Sequence, residues 1–300
     1  MAFTSGSATN YNVLLDTLKT YLVAQGWTVL AYTAGTGLSD VAELHIQFPG
    51  VNSFTGVLNI ITRHNTGSGF YGWEATVSRT YSSSLAWGTQ FGDSPSTFLN
   101  MWDASLGYWF YVNDRRLIMS IKVSAVYTSA FWGMFLPFTT PDEYNYPYYV
   151  GSNYTGLDDF SNTTAKHFIA SPTEHTSFYL SKEAVWMDVG NYDHLDNLAQ
   201  SATGRILPHG SISVVPSDSR DNFNWMKNSK PNAAGEVIIL PCHIVSHLEK
   251  KMIGNLDGVF GLPGFGKGTE QVITFGSRNF RIFQDLNRST DYSFMALEEL

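Results

Sequence analysis

From residue 42 to its end the chain is a succession of short apolar runs and alternations, each closed by Gly, Pro, Asn or Ser. That texture commits most of it to β-strands, because a strand needs only about four to eight residues while a stable helix needs a longer apolar stripe. Ala42 to Phe48, Gly56 to Thr62 and Tyr71 to Tyr81 are the first such segments, followed later by Lys166 to Ile169, Phe178 to Leu180 and Ala184 to Val189. The strongest hairpin lies between Gly107 and Val126. Tyr108-Trp109-Phe110-Tyr111-Val112 enters Asn113-Asp114, which tolerate the backbone of a tight turn, and Leu117 to Val123 returns.

One segment departs from this pattern. Val13, Leu14, Leu18, Tyr21 and Leu22 lie on one face of a helix. The polar leader Ser5 to Thr9 precedes it, Thr9 or Asn10 can cap its start, and Gly26 can end it in a left-handed conformation. Trp27 to Ala31 then reads as a strand. A short second helix around Ser96 to Ala104 is expected from the apolar face Phe98, Leu99 and Trp102.

The expected fold is therefore mainly β with a minor α component: an antiparallel β-sandwich-like body, one N-terminal amphipathic helix and a small β-rich C-terminal unit. We divide it into a body over residues 1–190, an irregular polar linker or insertion over 191–234, and a C-terminal domain over 235–300. The last runs through strands at Glu236 to Ser246, Leu256 to Leu262, Gln271 to Phe275, Asn279 to Gln284 and Tyr292 to Leu297. Thr139 to Asn153, with its prolines and tyrosines, is expected to be an extended arm rather than a central strand or a helix. No period of about 20 to 50 residues recurs, so a solenoid or propeller is not indicated.

Composition bears on function. Only 15% of residues are charged while 15% are aromatic, a balance suited to packing against neighbours, since Tyr and Trp bury large rigid areas and keep a polar handle. The candidate interface residues are Trp132 and Phe135, from the apolar run 130–138, with Tyr144, Tyr146, Tyr148 and Tyr149 from the arm. Net charge is −8, and the 18 basic residues form no stripe beyond Arg115-Arg116 and Lys250-Lys251, which argues against nucleic acid as a partner. A lone Cys242 excludes an internal disulfide framework. The first residues carry no secretion signal, and no apolar stretch approaches the roughly 20 residues that span a bilayer, so no membrane partner is expected.

Motifs that would carry chemistry fail in detail. Gly261 to Gly268 nearly spells a phosphate-binding loop, but Gly268 replaces the hydroxyl that holds magnesium and a strand-like run follows. His243 and His247 share one face of a strand but stand roughly 13 Å apart there, too far to share a metal. The acidic pairs Asp142-Glu143 and Asp158-Asp159, and the cluster of Asp193 and Asp196 with Asn191 and Asn197, lack the spacing of a catalytic or calcium site. We expect no enzyme, no cofactor and no metal.

Three segments resemble virion structural proteins of tailed bacteriophages and prophages. They are Thr4 to Tyr11 with Leu14-Leu15 and Ala24 to Trp27; Tyr108 to Arg116 running through Lys122-Val123 to Tyr144-Asn145-Tyr146-Pro147; and Leu256 to Phe260 through Pro263-Gly264-Phe265 to Tyr292 to Glu298. The resemblance covers roughly half the chain. It implies a component of the tail, baseplate, collar or head-to-tail region, assembled in the bacterial cytoplasm and located in the virion. Its partners would be other virion proteins and further copies of itself in a symmetric arrangement. A receptor- or carbohydrate-binding virion protein is the alternative, with the Trp132 and Tyr144 to Tyr149 rings stacking on a host surface glycan. A virion-associated hydrolase using acids between Asp158 and Asp196 is the third reading.

Overall fold

The fold is mainly β and antiparallel, with one helix. In the computed structural model the described residues are 2–35, 37, 40–51, 54–65, 69–138, 143–154, 168–169, 176–189, 204–207, 230–246, 248–284 and 294–299. Strand β1 (Ala2–Ala8) precedes the helix α1 (Tyr11–Ala24). Asn10 caps α1 with an extended backbone, its side-chain oxygen accepting from the amides of Asn12 and Val13 at 3.0 and 2.9 Å. The helix ends as the glycine predicts. Gly26 has φ +87°, its amide donates to Val23 O, and the Trp27 amide donates back to Leu22 O, each at 3.0 Å.

Three sheets follow. The first has five strands in sequence order: β2 (Thr28–Thr33), β3 (Glu43–Val51), β4 (Phe54–Asn65), β5 (Phe70–Ser78) and β6 (Thr97–Met101). The central sheet has seven, ordered β1, β7 (Leu106–Val112), β8 (Arg116–Val123), β9 (Val126–Met134), β11 (Tyr148–Gly151), β12 (Ser177–Leu180) and β13 (Trp186–Asp188). The C-terminal sheet runs β14 (Gly204–Leu207), β15 (Leu240–Ser246), β16 (Lys251–Leu262), β19 (Phe294–Glu299), β18 (Arg278–Gln284), β17 (Val272–Phe275), with β10 (Leu136–Pro137) also paired to β16.

The central sheet is buried on both faces, and the period of two along each strand sorts its side chains into two cores. Leu117, Met119 and Ile121 of β8 join a core with α1 and the five-stranded sheet, while Ile118 joins a core with the C-terminal sheet. On β9, Ala130, Trp132 and Met134 face the first core and Phe131 the second. Leu14, Leu15, Leu18 and Leu22 of α1 are fully buried in the first core, and Trp73 of β5 donates its indole N–H to Tyr11 O at 3.1 Å. Burying a leucine side chain stabilises by about 1.5–3 kcal/mol, so this helix is fastened chiefly by its apolar stripe.

Several expectations change. Ala2–Ala8, taken with the polar leader, is an edge strand paired along its length with β7. The second helix is absent: residues 97–101 are strand β6, paired with β5. The arm contains a central strand, since β11 lies hydrogen-bonded between β9 and β12. Pro147 stands just before it, where a missing amide N–H costs the ladder nothing. The C-terminal segment also shares its main core with the body: Cys242, Ile244, Leu256, Val259 and Leu297 pack with Trp109, Tyr111, Ile118 and Phe131. Within the expected linker, Gly204–Leu207 pairs with β15 and Ile206 is buried in that same core. Residues 230–234, the end of that linker, lie outside any strand, and its remaining residues, with Lys166 and His167, lie outside the described residues.

Candidate contact surface

The aromatic residues expected at an interface are in the interior. Trp132, Phe135, Tyr148 and Tyr149 are fully buried and Tyr144 nearly so. Trp132 donates its indole N–H to Thr97 Oγ1 at 3.1 Å, Tyr148 its hydroxyl to Thr55 O at 2.6 Å, and Tyr149 its hydroxyl to Phe168 O at 2.9 Å. Tyr146 is half-buried, packed on Phe54 at 5.6 Å with the Arg79 guanidinium 4.7 Å from its ring. The reason is the two-sided burial of the central sheet: Tyr148 and Tyr149 are adjacent, point to opposite faces, and both faces are covered. Apart from the half-buried Tyr146, these rings have no free face for a sugar or a neighbouring subunit.

The outer face of the C-terminal sheet is built differently. Its inner face belongs to the shared core, but its outer face carries only a small apolar cluster around Leu262, Phe280, Ile282 and Ala296. Two close approaches shape it. A Cβ on Gly254 would sit 2.4 Å from Leu136 O, so glycine lets β10 lie against β16. At the other side Gly276, with φ +61°, makes the two-residue turn that pairs Phe275 with Arg278 and closes the β17–β18 hairpin.

Between these lies a groove of about 490 Å³ walled by Leu136, Ile238, Pro241, Phe260, Phe275 and Phe280. Phe260 and Phe280 meet edge to face at 5.0 Å and 80°. The Arg278 guanidinium lies 5.3 and 5.2 Å from those two rings and pairs with Glu298 through both Nε and Nη2. The Glu298 carboxylate holds the Arg278 pKa above its ordinary value. The rim is apolar and open: Phe275 is 71% exposed, Ile238 47% and Leu136 39%, and outside the lining Phe138, Met252 and Val272 are exposed as well. Exposed apolar side chains elsewhere include Val13 and Val23 on α1, Leu30 on β2, and Phe91 and Val185 in loops.

The groove is anchored from below. Asp257, on its floor, accepts from Asn113 Nδ2 at 2.9 Å and faces Arg116 Nη2 at 3.5 Å. Arg116 is fully buried and its guanidinium also donates to Tyr111 O at 3.2 Å. Burial lowers its pKa to about 10, and Asp257 opposes that fall. Asn113 Oδ1 in turn accepts from the amides of Arg115 and Arg116 at 3.0 and 3.1 Å, so the turn foreseen in the sequence also fixes the groove floor.

Other residues singled out in the sequence fall as follows. Gly261 to Gly268 ends β16 and leads toward strand β17 rather than into a helix. Cys242 is fully buried, and burial pushes its thiol pKa up. His243 pairs through Nδ1 with Asn255 Oδ1 and packs on Phe138 at 5.6 Å, whereas His247 lies outside the described residues. Glu143 pairs with Lys251, while Asp142, Asp158, Asp159, Asn191, Asp193, Asp196 and Asn197 lie outside the described residues. Among the described residues, no group of three or more His, Cys, Asp or Glu is placed to hold a metal ion. No described helix is long and apolar enough to cross a membrane.

One polar network escaped sequence reading. On the outer face of the five-stranded sheet, His45 Nε2 lies 2.6 Å from Glu43 Oε1 and Nδ1 lies 2.7 Å from Asn59 Oδ1. Asn59 Nδ2 donates to Asp93 Oδ1 at 3.2 Å, which also accepts from Thr76 Oγ1 at 2.8 Å. Desolvation raises the Asp93 pKa. Both imidazole nitrogens are engaged, so this network fastens the 79–96 loop rather than presenting a base to substrate. Alternate positions 43, 45 and 47 on one strand were its only signal.

No family model matches the chain, and no curated protein matches it.

Proposed function

We propose that this chain is a non-enzymatic structural component of a tailed bacteriophage particle, a tail, baseplate or collar subunit that works through protein–protein contact. The observation that carries the contact role is the outer face of the C-terminal sheet, where a groove of about 490 Å³ is rimmed by Phe275, Ile238 and Leu136, while the other aromatic clusters among the described residues are turned inward. Contiguous exposed apolar surface of this kind marks an interaction site. The virion assignment is supported by the resemblance of Thr4 to Tyr11, Tyr108 to Arg116 and Leu256 to Phe265 to such proteins. Copies arranged with rotational symmetry, each presenting the same face, are the expected assembly.

Purified particles from the host that encodes the chain provide the test. Its peptides should appear by mass spectrometry at a fixed ratio to the major structural proteins, and immunogold label should fall on the tail, collar or baseplate. Absence of its peptides from washed particles would overturn the assignment.

A further inference from the structure

The C-terminal sheet ends on strand β17, and among the described residues no strand pairs with its outer edge. Phe275 and Arg278 close a two-residue turn, so they form a hydrogen-bonded pair, and Ile273 with Phe280 forms the next. The amides and carbonyls of Val272 and Thr274 therefore point away from β18, toward the open edge. Beyond them a bulge at Glu270, with φ +67°, ends the ladder: the Glu270 amide donates to Ile282 O at 2.7 Å and Gln271 O accepts from the Ile282 amide at 2.9 Å.

Proteins usually blunt such edges with charge, proline or a covering loop. Val272-Ile273-Thr274-Phe275 has neither charge nor proline. Instead it borders a cleft of about 620 Å³, with Ile273, Thr274 and Phe275 on one side and the segment from Gly235 to Ile239 on the other. Val237, Ile238 and Ile239 run past the cleft outside any sheet. One end of the cleft is cationic. Lys267 Nζ donates to Gly235 O at 3.1 Å, leaving two further N–H donors, and Lys230 is exposed among the same lining residues. Glu236, which accepts from Asn232 Nδ2 at 2.6 Å and keeps its charge, is the acidic member of the lining, so two lysines stand against one glutamate. In a chain of net charge −8, this local excess of lysine selects for an acidic visitor.

We propose that the open edge of β17 is a strand-acceptor site. It takes an extended peptide from a partner protein, with apolar side chains at every second position and an acidic end lodged at Lys230 and Lys267. The incoming backbone bonds to Val272 and Thr274, which supplies affinity, and its alternate side chains enter the cleft, which supplies selectivity. This deepens the contact role proposed above and rests on it for the identity of the partner as another virion protein.

The test is selection of a random ten-residue peptide library on the full-length chain, followed by anisotropy titration of the synthesised winners. Recovered peptides should alternate apolar and polar residues and carry Asp or Glu at one end. Their affinity should fall at least tenfold on Thr274→Pro, which removes the edge donor, and about tenfold when alternate peptide amides are N-methylated. Lys230→Glu, a surface change that leaves the fold untouched, should weaken acidic-ended peptides severalfold and leave neutral ones alone. Recovery of no peptides, of peptides without a period of two, or of peptides indifferent to both protein variants and to N-methylation would overturn the proposal. So would concentration-dependent self-association abolished by Thr274→Pro, which would make a second copy the occupant. Presence in particles without peptide binding sinks the acceptor site alone, and peptide binding by a chain absent from particles sinks the virion assignment alone.

Discussion

The central sheet and the C-terminal sheet use the same residue types to opposite ends. Along β9, Phe131 and Trp132 are neighbours in sequence, face opposite ways, and are both fully buried, because α1 with the five-stranded sheet covers one side and the C-terminal sheet the other. On the C-terminal sheet, Phe283 of β18 is buried in the shared core, while Phe275 of β17 stands 71% exposed on a face over which the described residues place no third layer. An aromatic-rich, charge-poor composition therefore marks a doubly covered sheet first and a contact surface second. Only the layer order tells the two apart.

The comparison breaks most sharply at Trp132. Trp132→Ala removes the largest buried side chain of β9 and its bond to Thr97, and should cost about 3–5 kcal/mol, read as a collapse of the urea midpoint. An interface residue would have cost almost nothing in the isolated chain. Asp257→Ala removes the strongest acidic partner of the fully buried Arg116 and should cost about 2–4 kcal/mol, less than a wholly enclosed pair because Asp257 is partly solvated and Glu298 also acts on the guanidinium. Retention of wild-type stability would mean that the groove floor is not fastened to the β7–β8 turn. Tyr149→Phe is gentler, about 1 kcal/mol, since Phe168 O keeps the Ser177 hydroxyl as a donor at 2.9 Å. At the bottom of the scale, Phe275→Ser should move thermal stability by less than about 0.5 kcal/mol, yet reduce incorporation into particles. A large fall in melting temperature would return Phe275 to the core.

Much of the fold was legible. Asn10, Gly26 and the leucine stripe place α1 within a residue of its observed ends, and Asn113-Asp114 marks the β7–β8 turn. The errors have physical causes. Phe98, Leu99 and Trp102 fit a helical face, but Leu99 and Met101 point into the first core from strand β6 while Phe98 is only partly buried, a period of two that a five-residue strand is too short to announce. β1 is composed largely of small and polar residues and gains its structure from pairing with Tyr108 to Val112 rather than from its own propensity. β11 was hidden because both of its faces are covered, which removes alternation, and because two prolines flank the tyrosines nearby. The contact surface left no local signal: Phe138 and Phe275 sit in runs like those of Phe131 and Phe283, and only tertiary packing decides which rings are covered.

The most direct measurement is hydroxyl-radical footprinting of the isolated chain and of the chain in intact particles. The account predicts that Phe275, Phe138 and Ile238 are oxidised in the isolated chain and protected in the particle, while Trp132, Tyr148 and Tyr149 stay unmodified in both. Oxidation of Trp132, Tyr148 and Tyr149 in the folded isolated chain, or equal oxidation of Phe275 in both samples, would contradict it.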